Sequence, residues 1–122
     1  MTTTAIAQMS EAGLLDSVIE LAHLFGWRVA HFRPAMTKHG WRTPVSADGK
    51  GFPDLVLVRD RVLFVELKSA KGRLSDDQLD WAAALTNAGV EYHCWRPADW
   101  TGGTVERILR STQTNNERNT AP

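Results

Sequence analysis

The chain has 122 residues, the usual length of a single domain, and it can bury a core without disulfide or metal support. The formal net charge is zero, so the total charge does not by itself indicate a nucleic-acid partner. The single cysteine, Cys94, excludes an internal disulfide and favours a reduced, cytoplasmic protein. No segment is long and apolar enough to predict a membrane span, and the N-terminal residues lack the pattern of a signal peptide.

Charge is unevenly distributed along the chain. Residues 26–73 contain ten Lys and Arg against four Asp and Glu, and the remainder has the reverse excess. This segregation allows a basic surface on a neutral protein, as a nucleic-acid-binding protein requires. Basic loop residues scattered in water would give the same counts, so the counts leave both interpretations open.

The first half of the chain predicts a helix, a strand and a long loop. Apolar residues at helical spacing predict a helix over 10–25, with Ser10 as its N-cap. Residues 27–33 alternate as a strand does and end before a proline. Residues 35–51 contain four Gly or Pro and predict a loop, which at this length is usually functional or disordered.

The second half predicts a hairpin, a helix and a last strand. The hairpin occupies residues 51–72, GFPDLVLVRDRVLFVELKSAKG. A helix over 74–88 follows, in which Ser75 and Gln78 have the spacing of a capping box. The remaining elements are a strand over 90–96 and a short amphipathic helix over 104–109.

This order of elements predicts one domain. The last strand reaches the sheet through a right-handed crossover that contains the second long helix. We expect a flexible N-terminus over 1–9, a single domain over 10–110 and a disordered polar tail over 111–122.

Charged residues interrupt the apolar hairpin at its open end. If the hairpin is centred on Asp60, position i pairs with position 120 − i, and Asp54 faces Glu66. Lys68 lies one step further along the same face, because side chains alternate with period two. The opposite face is wholly apolar, with Leu55, Leu57, Leu63, Val65 and Leu67.

The predicted opposition of Asp54 and Glu66 needs an explanation. Their Cβ atoms would lie about 4.5–5.5 Å apart, where two carboxylates repel. Either one carboxyl is protonated, or a cation lies between them, or the register differs. We favour a divalent cation, and oxygen ligands select Mg²⁺ or Mn²⁺ over zinc. The alternative is that both are edge residues in water and that Lys68 pairs with one of them.

The same residues resemble a known signature. Pro53-Asp54, eleven intervening residues and Glu66-Leu67-Lys68 resemble the motif of the PD-(D/E)XK nuclease superfamily. The segments GFPD, ELK, AKGRLS and WRPADW, together with Gln78, resemble the VRR-Nuc (virus-type replication-repair nuclease) branch. The resemblance extends from about Glu11 to Arg110. It implies an α/β fold with a restriction-endonuclease-like α-β-β-β-α-β core, in which helices flank a mixed four-stranded sheet.

The resemblance also implies an activity and a site. It implies a Mg²⁺- or Mn²⁺-dependent phosphodiesterase acting on DNA. Asp54, Glu66 and the backbone carbonyl of Leu67 would bind the metal ion. Lys68 would position or deprotonate the attacking water, or stabilise the charged transition state. Glu11, on the first helix, is either a further metal ligand or a partner of the helix dipole.

Several residues outside this group are candidate DNA contacts. Lys71 and Arg73 follow the ELK strand, and they either contact phosphates or are solvated. Gln78 has a structural explanation in the capping box, and the family pattern also places a glutamine near the site. The predicted loop adds Lys38, Arg42 and Lys50, either as a DNA-contacting flap or as an ordinary loop.

Together these observations predict a structure-specific DNA endonuclease. The expected substrates are Holliday junctions or flaps, and the expected setting is DNA repair. The resemblance to small family members also implies a homodimer. The chain would act in the cytoplasm of a bacterial cell or of a phage-infected host, with no membrane partner. The alternatives are a less selective nuclease or nickase, and a DNA-binding scaffold that does not cleave.

Overall fold

The computed structural model describes residues 9–32, 35–38, 40–42 and 46–113. The predicted flexible N-terminus lies outside this part of the chain except for Met9, and so does the predicted tail beyond Gln113. The elements in chain order are α1 (Glu11–Leu24), β1 (Arg28–His31), β2 (Ala35–Thr37), β3 (Gly40–Arg42), β4 (Leu55–Val58), β5 (Val62–Leu67), α2 (Asp76–Asn87), β6 (Glu91–Trp95), α3 (Pro97–Thr101) and α4 (Thr104–Arg110).

Four of the strands form one mixed sheet in the order β1-β4-β5-β6. The pairs β1–β4 and β4–β5 are antiparallel, and β5–β6 is parallel. A parallel pair requires a crossover, which α2 supplies between β5 and β6. The predicted α/β fold, a restriction-endonuclease-like core with a mixed four-stranded sheet flanked by helices, is confirmed.

The register of the β4–β5 hairpin is the one predicted from its centre at Asp60. Val58 pairs with Val62, and Val56 pairs with Phe64. The predicted apolar face is buried, and its five residues are at most 1% exposed. Register is strongly specified here because a slip of one residue would turn every apolar side chain of that face to the other side of the sheet.

The core lies between this apolar face and two helices. From α1 come Leu14, Val18 and Ala22, which recur at helical spacing, and from α4 come Val105 and Leu109. The other face of the sheet, which carries Asp54 and Glu66, is covered less completely. No residue of α2 is fully buried.

The segment predicted as a loop over 35–51 contains a second, two-stranded sheet, so that prediction was wrong for part of its length. Ala35 pairs with Arg42, and Thr37 pairs with Gly40. Gly40 has φ of +100°, a conformation that favours glycine in such a turn. Strands of three residues are too short to show an alternating period in the sequence.

Helix α3 was also absent from the sequence-based expectation, in which Pro97 only closed the last strand. Proline suits the first position of a helix, because its missing N–H needs no partner there. Asp99 accepts a hydrogen bond from the Arg96 N–H at 2.8 Å and so fixes the start of the helix. None of the helices in the described residues has the length and apolarity needed to cross a membrane.

Candidate active site

Asp54 is held at the beginning of β4 by both its backbone and its side chain. It follows the buried Pro53. Its carbonyl accepts a hydrogen bond from the Phe32 N–H at 3.0 Å. Its carboxylate oxygen Oδ2 accepts one from the Leu67 N–H at 2.8 Å. The carboxylate therefore takes the position of a strand partner just beyond the end of the β4–β5 ladder.

Glu66 is the one charged residue that is fully buried in the described part of the chain, with 3% exposure. Two groups contact its Oε2 atom. Gln78 donates a hydrogen bond from Nε2 at 3.2 Å, and the Lys68 Nζ atom lies 3.9 Å away. The structure therefore brings together the three residues that the sequence predicted as the catalytic group, Asp54, Glu66 and Lys68.

The electrostatics of this group are unfavourable for two free carboxylates. Burial and the neighbouring Asp54 carboxylate raise the pKa of Glu66 to about 8, although Lys68 acts in the opposite direction. At neutral pH the pair therefore holds a proton when no other cation is present. A bound cation would replace that proton and remove the repulsion.

The donor set fits a hard divalent ion. Mg²⁺ commonly takes one or two protein carboxylates and completes its shell with waters and substrate phosphate. Among the described residues, no group of three or more His, Cys, Asp or Glu side chains is arranged to hold a metal ion. A site here would therefore rest on the Asp54 and Glu66 carboxylates.

Glu11 lies near this pair without joining it as a close third carboxylate. It is exposed in the first turn of α1, which Ser10 caps by accepting a hydrogen bond from the Gly13 N–H at 3.0 Å. Its negative charge makes a minor contribution to the raised pKa of Glu66. The two predicted roles, metal ligand and dipole partner, both stay predictions.

Gln78 has two partners, one for each end of its amide. Its Oε1 accepts a hydrogen bond from the Ser75 N–H at 2.9 Å, and Ser75 Oγ accepts one from the Gln78 N–H at 3.2 Å. This is the predicted capping box. The bond from Nε2 to Glu66 could not be read from the sequence, because it depends on how α2 packs against β5.

Arg96 is a positioning residue that the sequence did not reveal. Its Nη1 atom donates to the carbonyls of Ser69 and Gly72, at 2.8 and 2.7 Å. It thereby fixes the turn that follows Lys68 and carries the exposed Lys71, with Arg73 exposed just beyond it. An arginine before a proline gives no signal in the sequence for such a long-range contact.

The remaining candidate DNA contacts lie on two segments. Lys38 is exposed in the turn between β2 and β3, and Arg42 ends β3. Lys50 lies on the segment before β4, with its Nζ atom 3.6 Å from Asp77. At Gly51, with φ of +86°, a Cβ atom would lie 2.6 Å from the Asp77 carbonyl carbon, so only glycine allows this segment to approach α2 so closely.

Cys94 pairs with Glu66 across the β5–β6 ladder. Burial raises the pKa of the Cys94 thiol, so the group stays protonated at neutral pH. A thiol with a raised pKa is a poor nucleophile. Cys94 is therefore better explained as a packing residue of the sheet than as a nucleophile.

Comparison with known proteins adds one family match. The VRR-NUC domain family matches the chain over residues 33–97, which are more than half of its 122 residues. The matched segment includes Asp54, Glu66, Lys68 and Gln78. No curated protein matches the chain, and no solved structure does.

Proposed function

The chain belongs to the VRR-NUC domain family, whose domain is a DNA nuclease, and on that premise we propose that it is a metal-dependent, structure-specific endonuclease. The proposed reaction is hydrolysis of phosphodiester bonds in branched DNA, such as Holliday junctions or flaps. The observation that carries the proposal is the pair of the half-buried Asp54 and the buried Glu66 inside the matched segment. A stable fold has no need of two opposed carboxyl groups, one of them buried with a raised pKa.

The proposed cofactor is Mg²⁺ or Mn²⁺, held by Asp54 and Glu66. When bound there, such an ion supplies positive charge to the scissile phosphate and lowers the pKa of a water molecule. The Leu67 carbonyl is a third proposed ligand. Its own N–H donates to Asp54, and in extended backbone the N–H and C=O of one residue point to the same side of the strand.

Lys68 is proposed to act on the attacking water or on the charge that develops at the phosphate. Its side chain is 15% exposed and its ammonium lies 3.9 Å from Glu66, so it is placed beside the pair and is still in contact with solvent. A preorganised cation in a partly dry site stabilises developing negative charge more strongly than water does. The same position also allows it to hold a water molecule by hydrogen bonding.

DNA would be held by basic side chains around the pair. Lys71 and Arg73 are exposed after β5, and Arg96 donates hydrogen bonds to the turn that carries Lys71. Further proposed phosphate contacts are Lys38, Arg42 and Lys50, which precede β4 in the chain. Phosphate contacts of this kind position a duplex without reading its sequence.

A homodimer is part of the proposal. Each chain has one Asp54–Glu66 pair, and one such site cuts one strand, so symmetric cleavage of a junction requires two copies. Mass measurement by light scattering at the assay concentration tests this part, and a monomeric mass would contradict it.

Two alternatives use the same observations. A less selective nuclease or nickase would use the same site without preferring branched DNA. A DNA-binding scaffold would keep the fold without cleaving, but it would have no use for the full set of Asp54, Glu66 and Lys68. The catalytic interpretation therefore accounts for more of the structure.

The decisive experiment compares four-way junctions, flaps, linear duplex and single strands at one salt concentration, with Mg²⁺, Mn²⁺ or chelator. We expect cleavage only with the metal ion, and most rapidly with branched DNA. Asp54→Asn and Lys68→Ala should abolish it while the circular dichroism spectrum is unchanged. Undiminished cleavage by Asp54→Asn would exclude this site, and equal cleavage of duplex and junction would exclude structure specificity.

A further inference from the structure

The aromatic ring of Phe32 is exposed close to the pair of Asp54 and Glu66. His31 pairs with Leu55, and the next residue, Phe32, donates its N–H to the Asp54 carbonyl at 3.0 Å. This bond continues the β1–β4 register by one residue, so that Phe32 lies opposite Asp54. Directly opposed residues point to the same face of a sheet, with Cβ atoms about 4.5–5.5 Å apart. The Phe32 ring therefore lies on the face that carries Asp54 and Glu66.

Other aromatic residues hold this ring. Phe52 contacts Phe32 edge to face, with ring centres 5.4 Å apart and planes at 89°. Phe52 makes the same kind of contact with Phe64 at 6.0 Å and with Trp81 at 5.0 Å. Phe52 is thus anchored on β5 and on α2, and it supports Phe32 from one side. Phe32 nevertheless stays 43% exposed.

Exposure alone would say little, because single apolar residues are common on protein surfaces. What distinguishes Phe32 is its place on the strand next to Asp54, with a ring that its neighbours orient and water still reaches. A rigid aromatic face at the surface of a nucleic-acid site is the group on which unstacked bases bind.

We propose that Phe32 stacks against an unpaired nucleobase adjacent to the scissile phosphate and thereby selects DNA in which a base is free to leave the helix. Bases of an intact duplex are already stacked on their neighbours, whereas those at a flap, a junction branch or a single strand are available. The inference rests on the proposed nuclease function and names the feature of the substrate that the site selects.

The test measures the ratio of cleavage rates for a flap and a linear duplex of the same sequence. Phe32→Ala and Phe32→Leu should each lower this ratio by about tenfold or more, because leucine keeps the apolar bulk but has no flat aromatic face. Phe32→Trp should preserve it. Val62→Ala is the matched control, since Val62 is 40% exposed on the same face at the other end of the hairpin.

A binding measurement keeps the two hypotheses separate. In the Asp54→Asn background, affinity for flap and duplex is measured at one salt concentration, with and without Phe32→Ala. The flap preference should fall by about the same factor as in cleavage. If the wild type binds DNA but cleaves none, the proposed function fails while the binding ratio still decides the role of Phe32.

Three results would overturn the role of Phe32. The first is an unchanged flap-to-duplex ratio in a folded Phe32→Ala or Phe32→Leu protein. The second is an equal loss with both substrates, which would indicate general damage to the site. The third is a loss of selectivity in a variant whose mass in solution is lower than that of the wild type, because the ring would then belong to an interface between copies of the chain.

Discussion

The two ends of the β4–β5 hairpin carry similar residues and opposite electrostatics. At the tip, Arg59, Asp60 and Arg61 form a closed set in which each charge has a partner. At the open end, Asp54 and Glu66 lie together, the pKa of Glu66 is raised to about 8, and the Lys68 ammonium lies 3.9 Å from Glu66. The hairpin thus runs from a tip whose charges stabilise the fold to an open end whose carboxylates destabilise it.

Hydrogen bonds connect the tip of the hairpin to the end of α4. Arg61, whose side chain is 7% exposed, donates to Glu91 at 2.8 Å and to the carbonyls of Ser111 and Ile108 at 2.8 and 3.1 Å. Its guanidinium also lies over the ring of Trp27. Burial opposes ionisation of Glu91, but hydrogen bonds from Arg61 and His93 outweigh it and lower the pKa of Glu91.

Among the residues that the structure describes, no arginine neutralises the open end in this way. Its raised carboxyl pKa means that folding favours the protonated form, so the ionised form costs stability. Groups that destabilise a fold in this way are concentrated at functional sites. The comparison therefore distinguishes charges that hold the fold from charges arranged for a ligand.

The largest expected effect comes from removing the charge of the open end. Glu66→Gln should lower metal-dependent cleavage by about 100-fold or more, because it removes a proposed ligand. It should also remove the pH dependence of stability that we expect for the metal-free wild type in the presence of chelator. Thermal unfolding from pH 5 to pH 8, paired with a cleavage assay, measures both effects.

The sign of that pH dependence follows from the two pKa values. An unfolded glutamate titrates near 4.5, whereas folded Glu66 titrates near 8, so the folded state binds the extra proton between these values. Stability of the metal-free wild type should therefore fall as pH rises through this window, by an amount on the order of a few kcal/mol. A slope retained in Glu66→Gln would show that another group causes it.

The next largest effect comes from breaking the tip. Arg61→Ala removes one donor from Glu91 and from two carbonyls, although Glu91 keeps His93 and the Ser111 carbonyl keeps Arg59, and we expect a loss of about 2 kcal/mol in the free energy of unfolding. Cleavage per folded molecule should stay unchanged. Arg110→Ala is the control, because its pair with Glu106 is exposed and its other contact is with the Phe25 ring, so that it should contribute about 1 kcal/mol or less. Equal losses in both variants would contradict the described role of the tip.

A smaller effect is expected at Gln78, which contributes to both the fold and the site. Gln78→Ala should lose about 1 kcal/mol of stability with the cap and about tenfold in metal affinity, because Glu66 loses a partner that orients it. Ser75→Ala should lose a similar amount of stability but keep the bond between Gln78 and Glu66. Metal titration of both variants checks this, and equal affinities would show that the Gln78–Glu66 bond is dispensable.

The sequence predicted those features that follow from local periodicity. The register that opposes Asp54 to Glu66 could be read because both faces of the hairpin have a clear apolar pattern, and the cap at Ser75 because its motif is local. The β2–β3 hairpin was missed because its strands are short. Two further features could not be predicted because they depend on packing between distant segments. They are the hydrogen bonds from Arg96 to the turn after Lys68 and the exposure of Phe32.

The most direct test of the central claim is the proton balance of metal binding. Calorimetric titration of Mn²⁺ at pH 7, in buffers of different ionisation enthalpy, counts the protons released. If Asp54 and Glu66 form the site, the wild type should release about one proton per ion bound, because Glu66 must ionise, and Asp54→Asn should bind at least about tenfold more weakly. Binding of Mn²⁺ without proton release, or with equal affinity in Asp54→Asn, would place the metal ion elsewhere and contradict the account.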